Sequence, residues 1–317
     1  MLDRSREDGV NAQERFRGCL LGLAVGDAVG TTVEFRPRGT FEPLTEMTGG
    51  GPFGLAPGQW TDDTSMALCL ASSLLECGGF DAHDQMERYC RWSEAGYLSS
   101  TGSCFDIGRT VASALRRFRQ NGEPFAGPED TYLAGNGSIM RLAPVPMFFS
   151  QDIDAAETYS AKSSRTTHGA AECVDACRLL GRIICRALSG QAKDAVVLGD
   201  SSSFRGAEKI VLIARGAYIN KPEAAVRGSG YVVESLEAAL WSFVAADSFE
   251  AAILAAANLG DDADTTAAVC GQIAGAFYGV SGIPCRWLQR LALRSDIMEL
   301  ADRLYLRSVA SGPTASS

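Results

Sequence analysis

The stretch that decides the fold is GCLLGLAVGDAVGTTVEF, residues 18–35. Its glycines at 22, 26 and 30 share one face of a helix, and that smooth stripe lets a second helix approach closely. No strand precedes them and their spacing is not G-x-G-x-x-G, which argues against a dinucleotide-binding turn. Asp27 is costly to bury unpaired, so it either caps a neighbouring helix or belongs to a site.

Helical periodicity continues through the rest of the chain. Apolar residues recur at steps of three and four in the segments 107–118, 174–188, 236–243 and 269–280. Strand-like alternation is confined to 195–199 and 210–213, and both runs also fit a helix. We therefore predict an all-α fold of ten or more helices, with one compact domain over residues 1–310 and a disordered tail at 311–317.

Composition narrows the class of protein. Among 317 residues, 46% are hydrophobic, which excludes a disordered chain, and 29 basic against 38 acidic residues give a net charge of −9. That acidity argues against binding to a nucleic-acid backbone or a membrane surface. The ten cysteines include no C-x-x-C pair, and the first residues show no apolar signal segment. We expect a cytoplasmic enzyme or binding protein, and a monomer.

Two segments interrupt the helical pattern. Residues 36–59 carry five glycines and two prolines between Gly49 and Gly58, which predicts a long loop. Loops of this length inside a compact domain tend to be lids or binding loops. Glu34 stands just before this loop, where a mobile carboxylate could act as an acid or a base. The second segment, 198–206, reads as a surface insertion.

Two acidic motifs stand at predicted helix starts. The first is TDDT at 61–64, where Thr61 or Asp62 is a candidate N-cap, and capping alone could explain it. The second is GDDADTT at 260–266, leading into a helix predicted from about 267. It holds three carboxylates where one or two suffice for a cap, although an over-acidic cap remains an alternative.

Brought face to face, the two motifs offer about six oxygen ligands, enough for two hard cations. Carboxylate and hydroxyl oxygens favour Mg²⁺ or Mn²⁺. The chain contains only two histidines, His83 and His168, which argues against zinc. An EF-hand is excluded because the glycine and glutamate positions of such a loop are occupied by Ala267 and Ile273.

Further polar segments suit a ligand. GNGSIMR at 135–141 can present backbone N–H groups to an anion such as a pyrophosphate, although a plain turn and cap explain it equally simply. Asp106 is predicted to open a helix over 105–120. His168 enters a helix as a lone histidine, and the segment 228–231 is a flexible loop that ends in Tyr231.

Taken in order, these motifs resemble the ADP-ribosylglycohydrolase family, which includes enzymes of the dinitrogenase reductase-activating glycohydrolase and ADP-ribosyl-acceptor hydrolase type, and the bacterial branch is the most similar. The matching segments, which span most of the chain, are 18–35, 59–68, 104–110, 135–146, 166–170, 230–243 and 258–279. The resemblance implies a roughly orthogonal all-α domain with a two-metal site at helix N-termini, holding Mg²⁺ or Mn²⁺.

The resemblance also implies roles by motif position. The metal ligands would be Thr61, Asp62, Asp63, Asp262, Asp264 and Thr265, with Asp261 left out. A carboxylate among Asp63, Glu34 and Asp106 would be the catalytic acid or base. The substrate would be bound by Glu34, Asp106, Gly108, Asn136, Gly137, Ser138, Met140, His168, Gly230 and Tyr231.

The implied reaction is hydrolysis at C1″ of ADP-ribose, which releases ADP-ribose from an acceptor on a modified protein or small molecule, and arginine is the default acceptor. Serine, threonine, a nucleobase or O-acetyl-ADP-ribose are alternative linkages. Two further interpretations stay open: a non-catalytic ADP-ribose-binding relative, and a metal-dependent phosphoesterase built on the same paired carboxylates.

Overall fold

The computed structural model describes residues 10–310, which fold into fourteen α-helices with no strand in that range. The helices are α1 Ala12–Gly30, α2 Asp62–Cys77, α3 Ala82–Ala95, α4 Arg109–Asn121, α5 Pro144–Phe148, α6 Ile153–Arg165, α7 Ala171–Leu188, α8 Lys193–Leu198, α9 Glu208–Ala214, α10 Val232–Ala245, α11 Phe249–Ala257, α12 Ala263–Tyr278, α13 Cys285–Arg290 and α14 Arg294–Ala310. Short 3₁₀ turns occupy Thr31–Val33, Thr131–Leu133, Glu223–Ala225 and Val280–Gly282. The all-α prediction is confirmed, and the predicted tail at 311–317 lies outside the described residues.

The glycine stripe of α1 packs directly against α12, and this is the most extensive helix pair in the structure. A Cβ at Gly26 would lie 2.1 Å from the carbonyl oxygen of Ala267, and one at Gly271 would lie 2.0 Å from that of Gly22. Both distances are far inside van der Waals contact, so only glycine permits this approach. The close pairing fixes where α12 begins relative to the end of α1.

The helix α1 is the centre of the core. The segment Ala12–Val33 is long and apolar enough to cross a membrane by length and composition, but 89% of its most apolar window is buried inside the fold. Its side chains join a large apolar cluster with α7, α10, α11 and α12. Burial against other helices, at roughly 25 cal/mol per Å² of apolar surface, explains the apolar composition of α1 without a membrane.

Several boundaries differ from the sequence-based predictions. The run 195–199 lies mostly in α8 and the run 210–213 lies in α9, so the helical alternative holds for both. The helix predicted from residue 105 begins at Arg109, because Asp106 has a left-handed backbone with φ 56°. The helix predicted from about residue 267 begins already at Ala263. Residues 135–141 form turns rather than a helix start, and the next helix begins at Pro144.

The two predicted non-helical segments have defined anchors. The 36–59 loop is tied to the start of α12, since Phe35 N–H donates to the Asp261 carbonyl at 2.7 Å and Asp261 N–H donates to the Arg36 carbonyl at 2.9 Å. The segment 198–206 joins α8 to α9, as expected of an insertion. It is nevertheless anchored, because the buried Asp200 pairs with Arg186 of α7.

Candidate active site

Asp27 of α1 caps the start of α2. Its carboxylate accepts hydrogen bonds from the backbone N–H groups of Thr61 and Thr64, at 2.9 and 3.0 Å, and from both threonine hydroxyls. Burial raises the pKa of Asp27 to about 6, while these four hydrogen bonds oppose the shift. The capping interpretation of Asp27 is therefore the correct one. Thr61 is the N-cap residue of α2, but its own side chain makes no capping bond.

The start of α12 is arranged in the same manner. Asp262 is the N-cap residue and its side chain makes no capping bond. Instead, its Oδ2 accepts a hydrogen bond from Asn136 Nδ2 at 3.0 Å. Asp264 lies in the first turn, fully buried. Asp261 is exposed with φ 56°, and its backbone bonds to Phe35 and Arg36, so the third carboxylate of the motif lies on the solvent-exposed surface, away from the centre.

The two helix starts meet face to face. The Thr61 hydroxyl lies 3.2 Å from Asp264 Oδ2 and 3.4 Å from Asp63 Oδ2. The Thr265 hydroxyl lies 3.5 Å from the same Asp63 oxygen. Residues about 200 positions apart in the sequence thus form one polar centre. Asp62 lines the neighbouring cavity, whereas Asp63 is buried and is not among its lining residues.

Glu34 and Asp106 complete the centre from two other segments. One carboxylate oxygen each of Glu34, Asp106 and Asp264 lie within 4.8 Å of one another. The Glu34 side chain is only 4% exposed, so in this structure it is held inside the centre. Phe35 and Asp106 both have positive φ, 61° and 56°. Non-glycine residues adopt that conformation at a cost, and such positions cluster at functional sites.

The centre carries more negative charge than its protein partners neutralise. Burial first, and neighbouring carboxylates second, raise the pKa values of Asp62, Asp63 and Asp264 well above their usual range. The same two causes raise the pKa of Glu34 to about 9 and that of Asp106 to about 7. Like charges this close, in a site shielded from water, oppose one another's ionisation.

The donor set fits a hard cation. Glu34 Oε2 and Asp63 Oδ1 are buried without a hydrogen-bond partner among the described residues. An unpaired buried carboxylate oxygen is unfavourable unless a cation or a proton compensates it. The contacts between the two helix starts are made by carboxylates and hydroxyls, which is the ligand chemistry of Mg²⁺, Mn²⁺ or Ca²⁺. The cluster could therefore hold a metal ion.

A cavity of about 320 Å³ leads away from the carboxylates. The predicted ligand residues that line it are Glu34, Asp62, Asp106, Gly108, Asn136, Gly137, Met140, His168, Asp262, Asp264 and Thr265. Ser138 is buried and is not part of this wall. Gly230 and Tyr231 line an adjoining, larger cavity of about 750 Å³, together with Arg109 and Gly135. The structure thus brings the carboxylate centre and the GNG loop into one continuous groove.

Some lining residues could not be predicted from the sequence. Phe35, Arg109 and Thr110 border the cavity; they lie in the matching segments 18–35 and 104–110, but no role is predicted for them from the sequence. Phe35 is 64% exposed despite its size, which only the structure can show. The capping role of Asp27 was one of the two roles expected from the sequence, because an aspartate in an apolar helix needs donors from elsewhere in the fold.

Comparison with known proteins shows which family has this sequence. The family model described as ADP-ribosylglycohydrolase matches residues 8–313. The chain is 46% identical over 297 residues to ADP-ribosylarginine hydrolase Tri1 of Pseudomonas putida (strain GB-1), covering 94% of this chain and 79% of the relative. It is 33% identical to the ADP-ribosyl-[dinitrogen reductase] glycohydrolase of Rhodospirillum rubrum, covering 91% and 94% of the two chains.

A solved structure gives the same result. An ADP-ribosylglycohydrolase-related protein complex contains a chain that superposes with a TM-score of 0.84 at 43% identity, covering 94% of this chain and 99% of that one. The prediction from the ordered motifs is therefore confirmed at the level of sequence and of fold. This chain belongs to the ADP-ribosylglycohydrolase family, and it has the hydrolytic activity of that family.

Proposed function

We propose that this chain hydrolyses the N-glycosidic bond between C1″ of ADP-ribose and the guanidinium of a modified arginine in a protein. The observation that carries the proposal is the carboxylate centre of Glu34, Asp106 and Asp264 at one end of a groove lined by Asn136 and His168. The arginine linkage is supported by relatives named ADP-ribosylarginine hydrolase in two bacteria, at 46% and 42% identity.

The chain's own ligand set would hold two divalent cations, Mg²⁺ or Mn²⁺, through Thr61, Asp62, Asp63, Asp262, Asp264 and Thr265. When bound, such cations supply Lewis-acid polarisation of the ribose hydroxyls and of water. Asp63 is buried and does not line the cavity, so we assign it to holding a cation and not to proton transfer.

Glu34 and Asp106 divide the proton transfers between them. A guanidine is strongly basic, so it must leave C1″ as the protonated species. We assign Glu34 to hold the proton that passes to the departing guanidine nitrogen, because without cations burial and the neighbouring carboxylates raise its pKa to about 9, above that of Asp106 at about 7. Asp106 is then assigned to accept a proton from the attacking water. The water oxygen bonds to C1″ as the C1″–N bond breaks, which yields ADP-ribose and arginine.

The test is a panel of peptides that differ only in the ADP-ribose linkage, at arginine, serine or threonine, assayed for ADP-ribose release with Mg²⁺ and with Mn²⁺. We expect release from the arginine-linked peptide and a fall in turnover of roughly 10²- to 10⁴-fold in Glu34→Gln, the usual contribution of a proton donor. Glu42→Gln is the matched control, because Glu42 is an exposed carboxylate of the same loop region.

Three results would contradict the proposal. Release only from serine- or threonine-linked peptides would assign the enzyme to another linkage within the family. Release of phosphate without ADP-ribose would favour a phosphoesterase. Binding of ADP-ribose without turnover of any peptide would favour a non-catalytic relative.

A further inference from the structure

Arg141 is a fully buried cation for which the described residues provide no carboxylate. Its side chain is 0% exposed, and it forms no salt bridge within residues 10–310. It stacks over the Tyr89 ring with 4.6 Å between the guanidinium carbon and the ring centroid. It also donates to the Thr167 hydroxyl at 2.6 Å, and more weakly to that of Thr166 at 3.4 Å. A buried charge without a counterion is costly, which calls for a function.

The hydrogen bond from Arg141 fixes the direction of the next one. A threonine hydroxyl has one proton to donate, and the Thr167 oxygen already accepts from Arg141. The same oxygen lies 2.9 Å from His168 Nδ1. If Nδ1 carried a proton, the threonine oxygen would accept twice and its own proton would be left without an acceptor in a buried site. The Thr167 hydroxyl therefore donates to Nδ1.

The acceptor role of Nδ1 places the ring proton on Nε2. A doubly protonated ring is unfavourable, because burial and the nearby Arg141 lower the pKa of His168 to about 3. Nε2 faces the GNG loop, since Cβ atoms built at Gly135 and Gly137 would lie 3.5 and 3.2 Å from it. His168 also lines the cavity, and no protein acceptor for Nε2 is present among the described residues.

We propose that Arg141 and Thr167 are positioning residues that hold His168 as a neutral donor, with its Nε2–H directed at an oxygen of the bound ADP-ribosyl group. Arg141, Thr167 and His168 donate in one direction, and bonds aligned in this way polarise one another. The charge of Arg141 thereby strengthens a donor in the ligand groove while the cation itself stays buried. The ligand part of this inference rests on the proposed function.

The tautomer can be measured without any ligand. The chain has two histidines, and His83 is exposed on α3, so ¹⁵N-histidine labelling gives two ring systems. His83→Gln removes one and assigns the other. Long-range ¹H–¹⁵N correlation spectra of the full chain should show His168 with a protonated Nε2 and an unprotonated Nδ1. A protonated Nδ1 in the wild-type chain would overturn the proposal.

The positioning role is tested by ADP-ribose binding, measured calorimetrically with Mg²⁺ present. Thr167→Val removes the hydroxyl at nearly constant shape, and we expect altered His168 signals and roughly three- to tenfold weaker binding, the cost of one hydrogen bond. Thr167→Ser should restore both. Thr166→Val is the matched control, because Thr166 is equally buried and also near Arg141 but does not contact His168.

The outcomes are separable. Thr167→Val with wild-type spectra and affinity would overturn the proposal, as would Thr166→Val with the same spectral change and loss of affinity as Thr167→Val. If the wild-type chain does not bind ADP-ribose, the ligand part of this inference fails, whereas the proposed function is decided separately by the peptide assay. The spectra of the ligand-free chain then still decide whether Arg141 and Thr167 set the tautomer.

Discussion

Two groups of helices in this protein begin with the same types of residue and use them differently. At α3, α6 and α11 the N-cap residues Asp81, Asp152 and Ser248 accept hydrogen bonds from N–H groups of their own first turn. At α2 and α12 the N-cap residues Thr61 and Asp262 make no such bond. The first three helices start at the surface, whereas the last two start at the carboxylate centre.

The difference shows how an N-cap side chain can contact a neighbouring helix when another residue accepts the hydrogen bonds of its helix start. At α2, Asp27 from α1 supplies the acceptor that the helix start needs. Thr61 can then contact Asp264 of the other helix. At α12, the Asp262 carboxylate accepts from Asn136 of the GNG loop instead of from its own helix. A polar N-cap residue whose side chain does not cap its own helix is therefore the stronger indication of function.

The largest effect is expected at the carboxylate centre. Asp264→Asn should lower turnover by on the order of 10³-fold, since it removes a ligand oxygen of the proposed cation site. The free energy of unfolding without cations should hold or rise, because the variant removes a buried charge among like charges. Turnover assays and urea unfolding measure the two quantities. Asp261→Asn is the control, and a similar loss there would contradict the distinction between the two carboxylates.

The second largest effect is expected at Asp27, whose replacement should lower both the stability of the fold and turnover. Asp27→Ala leaves two backbone N–H groups and two hydroxyls without their acceptor, so we expect a loss of about 3 kcal/mol or more in unfolding free energy. Turnover should fall as well, because Thr61 loses its anchor. Urea unfolding and turnover are measured on the same preparation. Loss of stability with full turnover would show that Asp27 does not position the site.

The stability of the cation-free protein should decrease as pH rises from about 5 to 9. Glu34 and Asp106 have raised pKa values, about 9 and about 7, so in this range the folded chain binds more protons than the unfolded one. Stability then falls as pH rises. Thermal unfolding in chelator at several pH values measures this. Saturating Mn²⁺ should remove the trend, and a trend of opposite sign would contradict it.

The smallest effect is expected at a surface cap. Asp152→Ala removes the acceptor for the Asp154 and Ala155 N–H groups at the exposed start of α6. It should cost about 1 kcal/mol of unfolding free energy and leave turnover unchanged. Urea unfolding and the peptide assay test both statements. A fall in turnover comparable to that of Asp264→Asn would remove the contrast between the two groups of helices.

Much of the fold could be predicted from the sequence because its signals are local. The glycine stripe at 22, 26 and 30 and the apolar steps in 174–188 report directly on which helix faces are buried. Helix starts were less predictable. For example, α4 begins at Arg109, three residues after Asp106. The positive φ of Asp106 keeps it out of the helix, and the local sequence gives no sign of that φ.

The motifs of the candidate site could be predicted from the sequence. The arrangement of their side chains inside the site could not. Spacing could suggest that 61–64 and 260–266 face each other, but not that Asp63 is absent from the cavity lining or that Glu34 is buried. The hydrogen bonds that join Arg141, Thr167 and His168 could not be predicted either. The sequence does not show that Arg141 lacks a counterion, nor in which direction the Thr167 hydroxyl donates.

The most direct test of the account is a Mn²⁺ titration of the wild-type chain, Asp264→Asn and Asp261→Asn, followed by electron paramagnetic resonance of the free ion. We predict that the wild-type chain and Asp261→Asn bind about two Mn²⁺ per chain. Asp264→Asn should lose at least one of them, since Asp264 lies at the contact between the two helix starts. No binding by the wild-type chain, or equal binding by all three, would contradict the claim that these helix starts form a cation site.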